Sequence, residues 1–434
     1  MPGTGFKKTG FPIKSHETGA FKTMDDLSDR DDTYKEQLPT MTEKATQKNH
    51  EYKSGKRPRM SPRERVIRAI RRTGPDRVPA CSRFTPPMMK TFNDNVGAGI
   101  PEEHLGPFGV PSGFIHEVRP PFLTPDEYFG WELRHVSFRS PSSPPDFSRF
   151  HGALPEGTQI NEWGVAFVPG STHHYTKRVA PLKGMNSVQE LKAFPFPDPM
   201  EPEAHKDLDL MVDLIHEDGL AAAGFLQQTL FELAWEMRGM DTLLMDFLIN
   251  TPFAEYLLER ITEIRCRMAA RYAEAGVDII RLGDDFGTQQ SLMMSPSTFR
   301  DLVKPRLARI IDSAKQINPE VIIFFHSDGS ITPLIDDFID MGIDVLNPVQ
   351  PECVDLAGVK KRHGADLSFW GGIGIQTTMP FGTTSEVRDK VREVIEVLGE
   401  GGGLFIAPTH ALQPDVPWEN VVAFFEAVDE FGWY

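Results

Sequence analysis

The residues best suited to chemistry in this sequence follow an apolar run at 321–325. His326 and Asp328 come directly after Val321-Ile-Ile-Phe-Phe325, and Gly329 follows them. A short apolar run that ends abruptly in polar residues is typical of a strand that is buried on both faces and presents polar side chains at its carboxyl end. Because side chains alternate along a strand, His326 and Asp328 are expected to face the same side, where they can share a metal ion, a proton or a substrate oxygen.

Other apolar runs end in the same way. The polar residues at or just after their ends are Arg281, Asp284 and Asp285, then Asn347, Gln350 and Glu352, then Gln376, and finally His410 and Gln413. In a (β/α)8 barrel the carboxyl ends of the strands meet at one mouth, where active sites form. These residues are therefore candidates for a single site.

The elements that would position them alternate in a regular order. From about residue 206 onward, short apolar runs alternate with stretches of helical periodicity, which predicts a parallel sheet with helical crossovers. Weaker strands near 78, 113 and 222 bring the total to about eight units, so a closed (β/α)8 TIM-type barrel is favoured over an open doubly wound sheet. No Gly-x-Gly-x-x-Gly follows a strand, which removes the main support for a dinucleotide-binding fold.

Two regions differ in composition. Residues 1–58 are polar, contain few aliphatic side chains and end in a basic cluster, so we expect a disordered tail. Ser61 and Pro62 then have the pattern of a helix start, and the barrel is expected to occupy 59–434. Within it, proline clusters between about 85 and 200 predict a loop-rich elaboration of the amino-terminal half.

Composition narrows the class of protein. With 434 residues, 40% of them hydrophobic, the chain can bury a full core, and its formal net charge of -16 argues against nucleic acid or an anionic membrane as the main partner. The three cysteines are far apart, which suggests neither a disulfide framework nor a thiolate zinc cluster. No apolar run reaches the length of about 18 residues that spans a bilayer. We therefore expect a cytoplasmic enzyme with a small-molecule substrate.

Several ordered motifs resemble one superfamily. They are Ser61-Pro-Arg-Glu-Arg-Val66, Gly283-Asp-Asp-Phe-Gly-Thr-Gln-Gln290, Phe325-His-Ser-Asp-Gly-Ser330, Asn347-Pro-Val-Gln-Pro-Glu352 and Ala407-Pro-Thr-His-Ala-Leu-Gln-Pro-Asp415. Together they are similar to the uroporphyrinogen decarboxylase superfamily, which includes haem-pathway decarboxylases and metal-dependent, corrinoid-linked methyltransferases. The resemblance runs from about residue 60 to the end, and it implies a TIM-like barrel with a deep cleft and a homodimer.

The sequence departs from both branches of that superfamily. The decarboxylases carry an arginine-rich segment where this chain has Cys81-Ser-Arg-Phe-Thr-Pro-Pro87, so uroporphyrinogen itself is not expected as the substrate. The methyltransferases bind zinc through a His-x-Cys pair and a distant Cys, and the matching positions here are His326, Asp328 and His410. Two imidazoles and a carboxylate can bind a divalent ion, zinc first, with iron or manganese as alternatives, but they are poorly suited to activating a thiol. A metal-free, hydrogen-bonded trio is the other interpretation.

The resemblance and the residue types suggest roles. In a decarboxylase, His326 or a metal ion would stabilise the carbanion, and His410 would deliver a proton to it. Asp284 and Asp285 are adjacent, so at most one faces the mouth, where it would bind a substrate cation, complete the metal shell or orient a histidine. Arg281 is the candidate anchor for a substrate carboxylate.

A further set of amides, Gln289, Gln290, Asn347 and Gln350, is expected to bind polar groups of the substrate. The sequence as a whole predicts a lyase that decarboxylates a carboxylated, ring-containing small molecule. Methyl transfer with a corrinoid protein as partner is the alternative enzyme, and a non-catalytic binding barrel is the third hypothesis.

Overall fold

The computed structural model describes residues 60–100, 122–141, 143–170 and 176–434. The predicted tail at 1–58 and the predicted strand near 113 lie outside these residues. Ten strands run in chain order from β1 to β10: Leu133–Val136, Gln159–Ile160, Ala166–Pro169, Thr176–Val179, Ala221–Gln227, Ile279–Gly283, Ile322–His326, Val345–Asn347, Ser368–Ile373 and Leu404–Pro408.

Sixteen α-helices lie among the same residues. In chain order, α1 to α16 are Pro62–Arg71, Pro86–Val96, Pro125–Tyr128, Val188–Lys192, Pro202–His205, Leu208–Glu217, Phe231–Arg238, Met240–Ile249, Thr251–Glu274, Pro296–Thr298, Lys304–Lys315, Ile335–Asp340, Leu356–His363, Thr378–Phe381, Thr384–Leu398 and Trp418–Phe431. Short 3-10 turns at Ser148–Phe150 and Thr332–Leu334 and a π-helical turn at Phe299–Val303 complete the helical structure.

Seven strands form one parallel sheet in the order β1-β5-β6-β7-β8-β9-β10. Apart from the step from β1 to β5, spatial neighbours are also neighbours in sequence, and helices form the crossovers between them, as the alternating pattern predicts. The register places Gly283 beside His326 and His326 beside Asn347. The ends of three adjacent strands therefore lie at the same height.

The sheet is curled, because side chains from its inner face meet in a core of their own. This inner cluster contains Leu133, Ala223, Ile279, Phe324, Val345, Trp370 and Phe405, and a second, larger cluster fills the space between the sheet and the surrounding helices. Trp370 stacks on Phe405 with ring centroids 3.7 Å apart. Two cores separated by one curled parallel sheet are the packing of a barrel.

Closure of the barrel departs from the prediction of eight strands. The segment near residue 80 forms isolated parallel bridges, Ala80 to Ile406 and Phe84 to Leu412, and no regular strand. Pro79 has no amide N–H to donate, which limits the ladder in this segment. The parallel α/β fold is confirmed, whereas the described residues form a seven-stranded half-barrel rather than a complete (β/α)8 barrel.

Helix α1 covers the amino-terminal end of the sheet. Ser61 caps this helix by accepting a hydrogen bond from the backbone of Glu64, so the predicted helix start is confirmed. Val66 and Ile70 pack into the inner cluster. Helix α1 therefore closes the amino-terminal end of the inner space.

The long connection between β1 and β5 contains a small antiparallel sheet. Its three strands run in the order β2-β3-β4.

Among the described residues, no helix has the length and apolar composition needed to cross a bilayer.

Candidate functional site at the mouth of the half-barrel

The loops that follow β6 and β7 are joined by a series of hydrogen bonds. The backbone N–H of Asp284 donates to the carbonyl of His326, and that of Ser330 donates to the carbonyl of Thr288. Glycines make the approach possible. A Cβ at Gly287 would lie 2.8 Å from the carbonyl oxygen of Asp328, and Gly329 has a φ of +82°. The two loops are therefore held in close contact, which fixes the positions of Asp285 and Asp328.

A hydrogen bond fixes the orientation of the His326 ring. Its Nδ1 lies 2.6 Å from Oδ1 of Asn347. The Asn347 amide cannot be reversed, because its Nδ2 donates to the carbonyl of Trp370 at 2.7 Å. Since Oδ1 only accepts, Nδ1 of His326 carries the proton, and in the neutral ring Nε2 presents a lone pair.

That lone pair faces two carboxylates. Nε2 of His326 lies 3.7 Å from Oδ1 of Asp285 and 3.8 Å from Oδ1 of Asp328. Asp285 also accepts a hydrogen bond from the backbone N–H of Asp328. All three side chains are partly exposed at the mouth, and burial, opposed by the positive charge of a protonated His326, raises the pKa of Asp285.

His410 lies at the rim of the same mouth. It lines a cavity that His326 also lines, and its own surface is exposed. Partial desolvation of the ring is the main cause that lowers the pKa of His410, and the negative charge of Asp328 opposes this shift. Among the described residues, the group that brings three ligand atoms within 4.8 Å of one another is Asp285, His326 and Asp328. The structure therefore favours Asp285 over His410 as the third member of the predicted metal set.

Asp284 has a different position from its neighbour. It is fully buried, and its carboxylate accepts hydrogen bonds from the backbone N–H groups of Leu230 and Glu232 at the start of α7. Burial raises the pKa of Asp284 to about 7, although the backbone amides oppose this shift. The predicted catalytic role does not fit this position, because the carboxylate is fully buried and caps a helix, whereas Asp285 is partly exposed at the mouth.

Replacing Asp284 with alanine should destabilise the fold by about 1–3 kcal/mol, since it leaves buried amides without an acceptor. Urea denaturation followed by circular dichroism measures this change. The exposed Asp389→Ala on α15 is the matched control and should change stability by less than about 0.5 kcal/mol. Equal stability of the two variants would contradict the capping role.

The predicted amide ligands occupy several places. Asn347 lines the cavity, but both ends of its amide are engaged, so it positions His326. Gln289 and Gln290 are exposed on the loop after β6. Gln350 is buried, and its Nε2 lies 3.4 Å from Oε1 of Gln289, outside the cavity. None of these three glutamines lines the cavity at the mouth.

Arg281 lies deeper in the half-barrel, as expected for a residue in the middle of β6. Its guanidinium donates to Nε2 of His135 and stacks over the ring of Phe324 at 4.4 Å. Burial, followed by repulsion from Arg83, lowers the pKa of Arg281 to about 9, so the side chain stays charged at neutral pH. Burial and the charge of Arg281 hold the pKa of His135 well below its usual range.

Sequence reasoning missed two residues that line this cavity, Arg83 and His135. Each lies in a segment whose strand character is visible in the sequence, at 78–84 and 133–138. A charged or titratable residue inside an apolar strand is a signal that could have identified both.

Glu232, at the start of α7, is a further residue near the site that was not predicted from the sequence. It is half-buried, and burial followed by the charges of Asp285 and Asp284 raises its pKa well above the usual value of 4.5. An acid whose pKa is raised by folding stabilises the fold when protonated. That contribution is complete below pH 4.5 and is lost as the pH rises through the raised folded-state value.

Glu232→Gln should therefore melt at a higher temperature than the wild type at pH 8 and should lose less stability between pH 5 and pH 8. Differential scanning fluorimetry in the presence of EDTA tests this expectation, with Glu396→Gln, an exposed glutamate of α15, as control. A wild-type pH dependence in Glu232→Gln would contradict it.

Comparison with known proteins supports the resemblance seen in the motifs. A family model described as uroporphyrinogen decarboxylase (URO-D) matches residues 179–431, more than half of the chain. A methylcobamide:CoM methyltransferase of Methanosarcina barkeri is 29% identical over 205 residues, which are 45% of this chain and 57% of that enzyme. Uroporphyrinogen decarboxylase 2 of Oryza sativa subsp. japonica is 23% identical over 319 residues, 68% of this chain and 77% of that one.

A solved structure shares the fold. A methyltransferase from Methanosarcina mazei superposes with a TM-score of 0.59 at 22% identity, covering 86% of this chain and 99% of that one. In sequence, the chain spans just over half the length of the M. barkeri enzyme. Both decarboxylases and methyltransferases are among its relatives. The homodimer stays a prediction.

Proposed function

Because the chain belongs to the uroporphyrinogen decarboxylase family, we propose that it is a lyase that decarboxylates a small carboxylated molecule with the help of a divalent metal ion. The catalytic site of this proposal is the mouth of the half-barrel, where Asp285, His326 and Asp328 meet. His410 at the rim and Arg281 below complete the set of groups that act on the substrate.

One observation carries the proposal. Nε2 of His326 and the carboxylates of Asp285 and Asp328 converge. In the neutral imidazole Nε2 carries a lone pair, because the hydrogen bond to Asn347 holds the ring proton at Nδ1. Three acceptors of this kind repel one another. Either a proton on Nε2 or a cation between the three groups removes the repulsion.

The donor set fits a divalent ion. One imidazole and two carboxylates suit zinc, iron or manganese. Ligand atoms around such an ion lie roughly 3.0–3.4 Å apart, and the distances from His326 to the two aspartates, 3.7 Å and 3.8 Å, are a few tenths of an ångström longer. When bound, the ion would act as a Lewis acid that stabilises negative charge on a substrate oxygen.

The protein residues provide the remaining steps. When the bond between the substrate carbon and its carboxylate breaks, carbon dioxide leaves and the electron pair stays on the carbon. His410, in its protonated form, delivers a proton to that carbon, which gives the product and a neutral imidazole. Arg281 holds the substrate by a negatively charged group so that the reacting carbon faces the histidines.

Methyl transfer is the second candidate, and the 29% identity to a methylcobamide:CoM methyltransferase favours it. This reaction would need a corrinoid protein as partner. The carboxylate in the place of a thiolate at Asp328 favours decarboxylation, because a set of nitrogen and oxygen ligands is less electron-rich and activates a thiol poorly.

A direct comparison of the two reactions tests the proposal. Purified protein would be incubated with zinc and a panel of small mono- and dicarboxylic acids, and carbon dioxide release would be followed. Demethylation of methylcobalamin in the presence of small thiols would be followed in parallel. We expect carbon dioxide release that His326→Ala removes. Methylcobalamin turnover without carbon dioxide release would overturn the proposal in favour of methyl transfer.

A further inference from the structure

The cavity at the mouth continues inward to a positively charged floor. Asp285 and Asp328 lie beside His326 at the level of the strand ends, outside the lining of this cavity. Arg281 lines its inner part, and Arg83, whose carbonyl accepts a hydrogen bond from the backbone N–H of Leu412 after β10, lines it as well. Arg281 pairs in register with Phe324, two residues before the step at which Gly283 pairs with His326. The backbone positions of the two levels are therefore separated along the strands by roughly 6–7 Å.

No acidic partner for either guanidinium lies within residues 60–100, 122–141, 143–170 and 176–434. Within the part of the chain that the structure describes, Arg83 forms no ion pair, and Arg281 donates only to the neutral His135 ring and stacks on aromatic faces. Arg281 is only 5% exposed. Buried cations are ordinarily paired with an anion, so this floor is a place where an anion is expected to bind.

Three buried donors point to the same conclusion. The hydroxyl of Ser82, the indole N–H of Trp131 and Nε of Arg281 are buried, and the residues that the structure describes offer them no hydrogen-bond partner. All three residues line this one cavity. Buried polar groups in native proteins are nearly always satisfied. Each of these groups can donate a hydrogen bond and has no acceptor in the described part of the chain, so a ligand with acceptor oxygens would satisfy all three.

The anion held there is not the group that leaves. In decarboxylation, negative charge moves from the carboxylate to the carbon, so arginines around the reacting carboxylate would stabilise the ground state more than the transition state. The reacting carboxylate therefore belongs near His326 and His410. A second carboxylate, which does not react, belongs on the arginine floor.

We propose that the substrate is a compact dicarboxylic acid, whose spectator carboxylate binds Arg83, Arg281, Ser82 and Trp131 while its other carboxylate reacts at the mouth. This inference rests on the proposed lyase function. The cavity volume of about 40 Å³ holds a few water-sized groups, since one water needs roughly 10–15 Å³. It has room for one carboxylate group.

Binding of simple acids tests the floor independently of turnover. The purified full-length chain would be titrated with acetate, malonate, succinate and glutarate, and the tryptophan fluorescence would be recorded, because Trp131 and Trp370 line the cavity. Each titration would be done in EDTA and in zinc. We expect acetate to bind weakly in both media and at least one diacid to bind at least tenfold more tightly than acetate when zinc is present.

Two variants locate the binding. Arg281→Gln should weaken the binding of every acid by at least tenfold in EDTA. Ser82→Ala removes a hydroxyl that has no partner among the described residues and should leave folding intact, and we expect it to weaken the binding of the acids several-fold. Arg309→Gln, an exposed arginine paired with Glu259, is the control and should bind acids like the wild type. Wild-type binding in both Arg281→Gln and Ser82→Ala, or no binding of any acid to the wild type, would overturn the inference.

Two results would distinguish failure of the dicarboxylate inference from failure of the proposed lyase function. Arg281-dependent binding of acids without any carbon dioxide release would leave the anion floor in place and overturn decarboxylation. Carbon dioxide release from a monocarboxylic acid, unaffected by Arg281→Gln, would support the lyase and overturn the dicarboxylate assignment.

Discussion

Replacing His326 with alanine should lower kcat/KM by a factor of about 10³ or more, the range expected when a group that contacts the reacting atoms is removed. The loss should appear in kcat, because this imidazole acts on charge that develops in the transition state. Steady-state carbon dioxide release by the variant and the wild type measures the effect.

His205→Ala is the matched control, because His205 lies on α5, where it contacts Arg271, and does not line the cavity. Its kinetics should stay within a factor of about two of the wild type. If His326→Ala kept wild-type kcat while melting normally, the mouth of the half-barrel would not be the catalytic site.

Replacing Asn347 with leucine should reduce zinc affinity by a factor of about 10 to 100, the range found when the hydrogen-bond partner of a ligating histidine is lost. Leucine has a similar size but cannot accept from Nδ1 of His326, so the ring loses both its fixed tautomer and its orientation. Competition for zinc with a colorimetric chelator measures the affinity.

Asn347→Asp is the informative contrast. Aspartate can still accept from Nδ1 of His326 but cannot donate to the carbonyl of Trp370. Zinc affinity should therefore be retained in this variant and reduced in Asn347→Leu. Equal affinities in Asn347→Leu and the wild type would show that Asn347 does not position the ligand.

The strands that carry the site could be predicted closely from the sequence. The apolar run at 321–325 corresponds to β7, Ile322–His326, and the run at 403–407 corresponds to β10, Leu404–Pro408. Parallel strands covered on both faces are continuously apolar, so their ends are visible as the point where polar residues begin. This is why the region of His326, Asp328 and His410 could be placed at one mouth.

Sequence reasoning could not decide between Asp284 and Asp285. It predicted that at most one faces the mouth, and Asp285 is that residue. The choice depends on α7, whose amino-terminal end lies more than 50 residues earlier in the chain and binds the Asp284 carboxylate. A contact over that distance in sequence leaves no local periodicity to interpret.

The extended segment that opens the barrel, at 78–84, could be predicted from the sequence, but its contribution to the cavity could not. The segment at 78–84 contains Pro79 and contributes isolated bridges, and the cavity residues Ser82 and Arg83 lie on it. Polar side chains of this segment line the cavity, which is the opposite of the apolar pattern that identifies a buried strand.

Zinc content tests the central claim most directly. After dialysis against zinc and then against buffer, inductively coupled plasma mass spectrometry should find about one zinc per wild-type chain, little in Asp285→Asn or His326→Ala, and wild-type content in His410→Ala. Zinc retained by Asp285→Asn and His326→Ala, or absent from the wild type, would contradict a metal site formed by Asp285, His326 and Asp328.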